Sequence, residues 1–281
     1  MMPKPLISVC IPVYNGEKYV AETINSVQRQ TYPNIEILIQ DNASTDNTGP
    51  ILQSLAIHDS RLFIERNDRN CGMAGNWNLA INRARGEYVM LLSADDLLMP
   101  EFIERIMATF REHAVDAVST NHFNLKSGKR TKRKLQVTAK VYQNFSHLVL
   151  LFNPFSINFT LFSRQLIDRL RVGGNLFAKS YYTCDYDLWI RLSLSNERIA
   201  YLDENLGIYR MHDENLSKQA KRMSRQTTLT VLSHKKALKK VCQLVYRATL
   251  FRFILRSLRD GLLHNNWDYQ LLCALKAELL R

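Results

Sequence analysis

The sequence predicts an α/β protein with a doubly wound, mostly parallel sheet flanked by helices and followed by a basic helical C-terminal extension. Apolar, strand-like segments alternate with helix-like segments along the first 120 residues. The strand-like segments follow one another at intervals of about 25 to 30 residues, which leaves room for a helix in each connection. From Gln219 onward the chain is helical in pattern and poor in Gly and Pro.

Each predicted element rests on a local signal. The apolar, β-branched segment 6–13 is typical of a buried strand, and Val20, Ile24 and Val27 recur at helical spacing. Pro100 favours the first position of a helix. The predicted strands are 6–13, 35–40, 61–66, 87–92, 115–123, 157–164 and 198–203. The predicted helices are 17–31, 45 or 46 to 57, 73–85, 100–113 and 185–195, and 126–134 is predicted to be a solvated basic loop.

Composition limits the classes of protein that this chain can belong to. Its 281 residues are 46% hydrophobic and 23% charged, as in a globular protein with a sizeable core. No apolar run approaches the ~18 residues that span a bilayer, and no signal peptide is recognisable at the N-terminus. The five cysteines form no C-x-x-C pair, which disfavours a disulfide framework and a zinc site. We therefore expect the chain to work in a reducing cytoplasm.

The net charge of +12 is concentrated in the last quarter of the chain. Residues 218–281 contain 14 Lys and Arg against three acids, whereas residues 1–217 are almost balanced, with 24 basic and 23 acidic groups. We therefore predict two domains, 1–217 and a basic helical extension of 218–281.

Polar loops follow each of the first four predicted strands, with the sequences YNGE, DNASTD, NDRNCG and SADD. Parallel strands place these loops at one edge of the sheet, where ligands bind in open α/β folds. Asn, Asp and Gly also form ordinary turns, but turns alone leave the adjacent Asp95 and Asp96 with mutual repulsion. A divalent cation such as Mg²⁺ or Mn²⁺ would relieve that repulsion.

The phosphate-binding motifs of common nucleotide-binding proteins are missing. The loop after the first strand contains only Gly16, so G-x-G-x-x-G is absent, and G-x-x-x-x-G-K-[ST] is absent as well. Phosphates held through a cation point to a nucleoside diphosphate that carries a leaving group. Tyr14 offers an aromatic face for a base, and the Asp41 carboxylate can accept the imide N–H of uracil or thymine.

Three segments together resemble the family 2 glycosyltransferases of the GT-A fold. These are ISVCIPVYNGEKYVAETINSVQRQTYPNIEILIQDNASTD, ARGEYVMLLSADD and CDYDLWIRL, and the resemblance extends over about residues 6–215. It implies a nucleotide-sugar-binding catalytic domain, a divalent cation and sugar transfer with inversion. On the matching residues it implies nucleotide binding by Pro12, Tyr14, Asp41 and Asp95, cation binding by Asp96 and His212, and Asp185 as the general base.

The chain departs from the family pattern at several positions. Gln40 replaces an acid before Asp41, Ser93 removes one potential cation ligand, Trp77 replaces an Arg before Asn78, and Cys184 stands where a Glu commonly precedes the base. Other interpretations of the functional residues stay open. Asp185 could be a helix N-cap, Asp187 could face solvent or pair with Arg191, His212 could be satisfied locally, and Arg210 could contact phosphate oxygens.

The function that the sequence predicts is transfer of a sugar from a UDP- or dTDP-sugar to an acceptor in surface polysaccharide or lipid-linked glycan synthesis. A catalytically silent nucleotide-sugar binder and a sugar-nucleotide pyrophosphorylase are the alternatives. The extension has Arg252, Arg256 and Arg259 on one helical face, with apolar residues (Leu250, Phe251, Ile254, Leu255, Leu258) nearby. It predicts either contact with an anionic membrane surface or a helical hairpin packed on the catalytic domain. Nucleic acid binding is not expected, because no recognition motif is present.

Overall fold

A computed structural model of the chain describes residues 3–135, 137–178, 183–213, 215, 220–264, 275–276 and 278–279. The strands are β1 (Ile7–Val13), β2 (Ile35–Asp41), β3 (Leu62–Arg66), β4 (Tyr88–Leu91), β5 (Leu97–Leu98), β6 (Ala117–Lys126), β7 (Lys129–Lys132), β8 (Lys140–Tyr142), β9 (Thr160–Ser163) and β10 (Ile199–Arg210). The helices are α1 (Val20–Gln28), α2 (Thr48–Ala56), α3 (Gly72–Arg83), α4 (Phe102–Glu112), α5 (Ser146–Leu151), α6 (Arg164–Leu170), α7 (Cys184–Leu194), α8 (Ala220–Ser233) and α9 (Lys235–His264).

The strands form one mixed sheet in the order β3-β2-β1-β4-β9-β6-β10-β5. Strands β1 to β4 are parallel to one another, and β10 is parallel to β6. Strand β9 lies antiparallel between β4 and β6, so the parallel part of the sheet is interrupted. The predicted mostly parallel sheet with flanking helices is therefore confirmed, with one antiparallel strand inserted at its centre.

The first strands could be predicted from the sequence because they are buried on both faces. Every residue of β1 and β2 is buried, as expected for strands covered by helices on both sides. Helix α1 buries Val20, Ile24 and Val27 against this sheet, as their spacing predicts. Full burial of each such side chain contributes about 1.5–3 kcal/mol.

The segment 126–134, predicted to be a solvated loop, is instead a β-hairpin for much of its length. Strand β7 pairs antiparallel with β6, from Phe123 opposite Lys132 to Lys126 opposite Lys129. Ser127 and Gly128 form the turn with φ of 49° and 77°, the conformation that two-residue hairpins require. All four side chains of β7 are exposed, so the strand is formed by backbone pairing. Its sequence has no apolar pattern that would predict a strand.

Helix α4 begins later than Pro100 suggested. Its first residue is Phe102, and Pro100 lies before it with its carbonyl oxygen accepting the N–H of Thr31 at 2.9 Å. The proline therefore fixes the approach to the helix and does not occupy its first turn. The short elements β5, α5 and α6 were not predicted, because two to seven residues carry too little periodicity.

The chain divides into two compact units. The first comprises Met1–Gln143, Phe155–Lys179 and Glu197–Asp213 and contains the sheet. The second comprises Asn144–Pro154, Ser180–Asn196 and Glu214–Arg281 and contains α5, α7, α8 and α9. The division into domains at residue 217 stays a prediction. Among the described residues, no helix has both the length and the apolar content to span a bilayer.

Candidate active site

The loops that follow β1 and β2 are joined by hydrogen bonds from backbone to side chain. The N–H of Asn15 donates to Ser44 Oγ at 2.9 Å, and that of Gly16 donates to Thr48 Oγ1 at 2.8 Å. A Cβ on Gly16 would lie 2.5 Å from Val13 Cγ2, so the close turn requires glycine. Tyr14 projects from this fixed turn with half of its surface exposed, which leaves its ring available to a planar ligand.

Asp41 is held by its own loop and by an arginine that the sequence analysis missed. Its Oδ1 accepts from the N–H and the hydroxyl of Ser44 at 3.0 and 2.5 Å. Its Oδ2 is 2.6 Å from Arg66 Nη1, and Arg66 Nη2 donates to the Ser44 carbonyl at 2.7 Å. Asp41 is buried, whereas the Arg66 side chain is about half exposed. A ligand at this place would therefore meet the guanidinium of Arg66, because the Asp41 carboxylate is buried.

An amide network connects the loops after β2 and β3. Asn67 Nδ2 donates to Asn42 Oδ1 and to Asn76 Oδ1, both at 2.9 Å, and Asn67 Oδ1 accepts from Gln40 Nε2 at 2.8 Å. The N–H of Cys71, whose thiol is exposed, donates to Asn42 Oδ1 at 2.9 Å. The replacement Gln40 is therefore a member of a structural network. Pro12 lies buried in β1 opposite Gln40.

Asp96 is fully buried directly before β5, and both of its carboxylate oxygens have protein partners. Oδ1 accepts the N–H of Arg210 at 2.9 Å, and Oδ2 accepts from Asn158 Nδ2 at 2.6 Å. Asn158 Oδ1 in turn accepts from Ser93 Oγ at 3.0 Å. Burial, and then the charge of Asp95, raise the pKa of Asp96 well above its usual range. The predicted cation ligand Asp96 thus lies within a closed polar network.

Asp95 has the opposite environment. It is partly exposed, and its Oδ2 lies 2.8 Å from His212 Nε2. Its carbonyl oxygen accepts from Arg210 Nε at 2.9 Å, and Arg210 Nη2 contacts Glu22 at 2.8 Å. His212 therefore contacts Asp95, whereas it was predicted to bind a cation together with Asp96. Arg210, proposed as a phosphate contact, has Glu22 as its carboxylate partner.

His212 and Arg210 share an aromatic neighbour. The His212 ring centroid is 5.1 Å from that of Tyr19, and the Arg210 guanidinium lies 4.5 Å from the same ring. This packing, together with the two contacts to Asp95, fixes the end of β10 beside the loop that follows β4. Carboxylate and imidazole atoms are thereby brought together from positions 117 residues apart.

Asp185, the predicted general base, lies in the first turn of α7 in the second unit. Thr183 occupies the N-cap position without a side-chain capping bond, so Asp185 is not the N-cap that the alternative interpretation required. Burial raises the pKa of Asp185, and the N–H groups of Tyr186 and Asp185 oppose that shift. A raised pKa makes the deprotonated carboxylate a stronger proton acceptor.

Two hydrogen bonds connect the turn that carries Asp185 to α8 and to His234, the residue that follows α8. Thr183 Oγ1 and Thr230 Oγ1 form a buried hydrogen bond of 3.0 Å. Asp187 Oδ1 is 2.8 Å from His234 Nε2, and its Oδ2 accepts from Arg191 Nε at 2.9 Å. The predicted pair with Arg191 is present, but Asp187 is buried and does not face solvent.

Within the described ranges, no group of three or more His, Cys, Asp and Glu side chains forms a ready-made metal site. In the first unit, the Asp95–His212 pair offers one carboxylate and one imidazole. Both are ligand types that divalent metals accept in proteins. The pair therefore fits a cation that takes its remaining ligands from a bound diphosphate.

Comparisons with solved structures define the class of fold. Residues 1–349 of TarS from Staphylococcus aureus, solved in complex with UDP-GlcNAc, are similar with a TM-score of 0.67 and 20% identity, over 88% of this chain and 80% of that TarS chain. The mannosyltransferase PcManGT of Pyrobaculum calidifontis, solved with GDP-Man and Mn²⁺, has a TM-score of 0.66 and 17% identity, over 99% and 86%. The chain therefore has the GT-A glycosyltransferase fold.

The family follows from sequence comparison. The model of glycosyl transferase family 2 matches residues 8–170, and the chain belongs to that family. An uncharacterized glycosyltransferase of Methanocaldococcus jannaschii is 28% identical over 90% of this chain and 88% of its own length. GlyG of Streptococcus pneumoniae is 36% identical over 119 residues, which are 42% of this chain and 40% of GlyG.

Proposed function

We propose that this glycosyltransferase moves a sugar from a UDP- or dTDP-sugar to an acceptor hydroxyl, with inversion, in cell-surface polysaccharide or lipid-linked glycan synthesis. The observation that carries the proposal is the pairing of Asp95 with His212 beside the polar loops of β1 and β2, within a chain of glycosyl transferase family 2. The bound UDP-GlcNAc in the similar TarS structure supports a nucleotide-sugar donor. A screen of donors and acceptors would identify the sugar and the acceptor.

The base of the nucleotide is assigned to the loops after β1 and β2. Tyr14 supplies an exposed ring, and Pro12 lies in the strand that delivers it. Asp41 was predicted to accept the imide N–H of the base, but it is buried and both of its oxygens already accept hydrogen bonds. We therefore propose that the half-exposed Arg66 would face a base carbonyl oxygen and that Asp41 positions Arg66. Asp95 was predicted from the resemblance to face the ribose, and we assign it to the cation in place of that role.

A divalent cation, Mg²⁺ or Mn²⁺, is assigned to Asp95 and His212. Asp96 was predicted to be its carboxylate ligand, but full burial and two hydrogen bonds engage Asp96, so we propose Asp95 in its place. When bound, the cation would stabilise the negative charge that gathers on the departing nucleoside diphosphate. The Mn²⁺ complex of the similar PcManGT supports a divalent cation in this fold.

Asp185 is assigned as the general base that removes the proton of the acceptor hydroxyl. A neutral hydroxyl is a poor nucleophile, and a carboxylate of raised pKa removes its proton as the new bond forms. One base and one cation suffice for a single inverting displacement, whereas a retaining double displacement would need an in-line nucleophile. We also propose a cytoplasmic location, peripheral on the cytoplasmic membrane face, because residues 218–281 carry 14 Lys and Arg against three acids.

The test is a mass-spectrometric screen of UDP- and dTDP-sugars against a panel of sugar and lipid-linked acceptors, with Mg²⁺ or Mn²⁺. We expect one donor to be consumed, with Asp185→Asn slowing turnover by about 100- to 10,000-fold. Asp95→Asn should weaken cation-dependent UDP binding by about tenfold, whereas Asp96→Asn should retain most of it. Glu112→Gln removes an exposed carboxylate of α4 and should leave both quantities unchanged.

Three results would contradict parts of this proposal. UDP binding without turnover of any donor and acceptor pair would indicate the silent binder, and release of a nucleoside triphosphate upon addition of pyrophosphate would indicate the pyrophosphorylase. If Asp96→Asn abolished cation-dependent UDP binding while Asp95→Asn retained it, the cation would belong to Asp96.

A further inference from the structure

Helix α9 presents an apolar stripe on the side that its own unit does not cover. The stripe consists of Val241, Leu244, Ala248, Phe251 and Leu255, which recur at alternating intervals of three and four residues and so lie on one helical face. Leu244 is 81% exposed, and the other large members are about half exposed. An arrangement of this kind marks an interaction site more often than scattered surface residues do.

The opposite face of α9 is the one packed in the second unit. Leu238, Tyr246, Leu250 and Phe253 are buried and fall on the other side of the helix at 100° per residue. The sequence analysis placed Leu250 in the membrane-facing area, and its burial corrects that assignment. The exposed stripe is therefore additional to the apolar surface that holds α9 in place.

The end of α5 is joined to α9 through Arg252. Arg252 Nη2 and Nη1 donate to the carbonyl oxygens of Leu150 and Leu151, both at 2.6 Å. Leu151 and Phe152, at this end of α5, are also exposed. Arg252, which was expected to face an anionic surface, instead serves as a link between α5 and α9. The side chains of Arg256, Leu258 and Arg259 lie outside the described residues.

Cations border the stripe. Lys240 precedes Leu244 by four residues and Arg247 follows it by three, so both lie next to it on the helix, and Lys236 lies one turn before Lys240. All three are exposed. The sequence contains no Asp or Glu from 216 to 259. An apolar stripe with cations along one border is complementary to an apolar layer beneath an anionic surface.

We propose that the stripe inserts into the interface of a bilayer that contains anionic lipids and so holds the enzyme on the membrane. The alternating spacing would also suit a second copy of α9, but both copies would then place Lys and Arg against Lys and Arg. The stripe residues would account for the proposed peripheral location on the membrane, and their role does not depend on transferase activity.

The experiment measures sedimentation of the full chain with vesicles of phosphatidylcholine, alone or mixed with phosphatidylglycerol. We expect binding to the mixed vesicles only, weakened by added salt. Leu244→Gln with Phe251→Gln should weaken that binding by about tenfold or more, because two large apolar side chains leave the interface. The matched control, Ile57→Gln with Val172→Gln, removes two exposed apolar side chains of the first unit and should bind as the unchanged protein does.

Two double variants that remove lysines test whether the cations beside the stripe contribute to vesicle binding. Lys236→Gln with Lys240→Gln should weaken binding to the mixed vesicles, whereas Lys129→Gln with Lys132→Gln, two exposed lysines of β7, should not. Equal binding by the stripe variant and its control would overturn the proposal. So would a dimer, detected by light scattering without vesicles, that the stripe variant dissociates. Vesicle binding in a protein that turns over no nucleotide sugar would contradict the transferase and leave this surface supported.

Discussion

At the scale of single residues, the two adjacent carboxylates after β4 have opposite surroundings. Asp96 is enclosed by Asn158 and the backbone of Arg210, while Asp95 reaches the surface beside His212. Asp96 has two hydrogen-bond donors of its own, and burial followed by the charge of Asp95 raises its pKa. Of the two carboxylates, Asp95 is the one that is partly exposed.

His122 gives a residue-scale prediction about acid stability. It is buried in β6 against Phe159, and burial together with the charge of Arg133 lowers the pKa of His122 to about 3. The unfolded chain binds this proton near pH 6.5, so stability present above that pH is lost as the pH falls towards 3. At about pH 4.5 the loss is about 3 kcal/mol.

His122→Phe removes that titration and keeps a planar ring. We expect the free energy of unfolding of the variant to fall less steeply than that of the unchanged protein between about pH 6 and pH 4. Urea denaturation at a series of pH values measures the difference. His113→Phe changes an exposed histidine and is the control. Parallel curves for His122→Phe and the unchanged protein would contradict the assignment.

At the scale of elements, α7 depends on helices that lie far from it in sequence. The bonds from Thr183 to Thr230 and from Asp187 to His234 bracket Asp185. Burial of Asp187 raises its pKa, but the bonds to His234 and Arg191 outweigh burial and lower the pKa overall. We therefore expect the C-terminal helices to be required for the position of the predicted base.

His234→Leu tests this dependence. The variant leaves Asp187 Oδ1 buried without its imidazole partner, which costs about 1–3 kcal/mol in free energy of unfolding. Turnover should fall by more than the loss of folded protein accounts for, while UDP affinity stays unchanged. His234→Gln, which retains a side-chain N–H, should recover part of both losses. Equal turnover per folded molecule in His234→Leu would show that α7 keeps its geometry without the bond.

At the scale of the whole molecule, cation and nucleotide should stabilise the fold together. In the proposed cation site, Asp95 and His212 supply two ligands and the diphosphate supplies others, so we expect neither cation nor nucleotide alone to complete it. We expect UDP with Mn²⁺ to raise the thermal unfolding midpoint, by an amount equivalent to about 2.7 kcal/mol at a hundredfold excess over Kd. UDP alone or Mn²⁺ alone should have a much smaller effect in the same melt. Equal shifts with and without Mn²⁺ would contradict a shared site.

The fold was largely predictable because β1, β2 and β4 are short apolar runs separated by helical patterns. The hairpin strand β7 was not, because its pairing involves only the backbone of four exposed residues. The insertion of β9 between β4 and β6 was not predictable either, since local patterns carry no information on the order of strands.

The candidate site was predictable in its types of residue and less so in its partners. Asp41, Asp95 and His212 stand out as polar residues in matching motifs. Arg66 and Asn158 do not, because they lie 25 and 62 residues from the carboxylates they contact. Arg66 ends a strand on the ligand edge, which is the one signal that could have indicated it. The proposal of Asp95 in place of Asp96 as the cation ligand rests on the burial of Asp96, which the sequence does not reveal.

The exposed thiol of Cys71 makes the ligand edge accessible to optical measurement. Cys71 joins the amide network between the loops after β2 and β3, whereas Cys10 and Cys184 are buried. Burial raises the pKa of Cys10 to about 12 and raises that of Cys184 as well, so both are poor nucleophiles. A thiol-reactive fluorophore should therefore attach at Cys71 in preference to those two. Its emission would follow, in real time, how these loops respond when a nucleotide sugar enters.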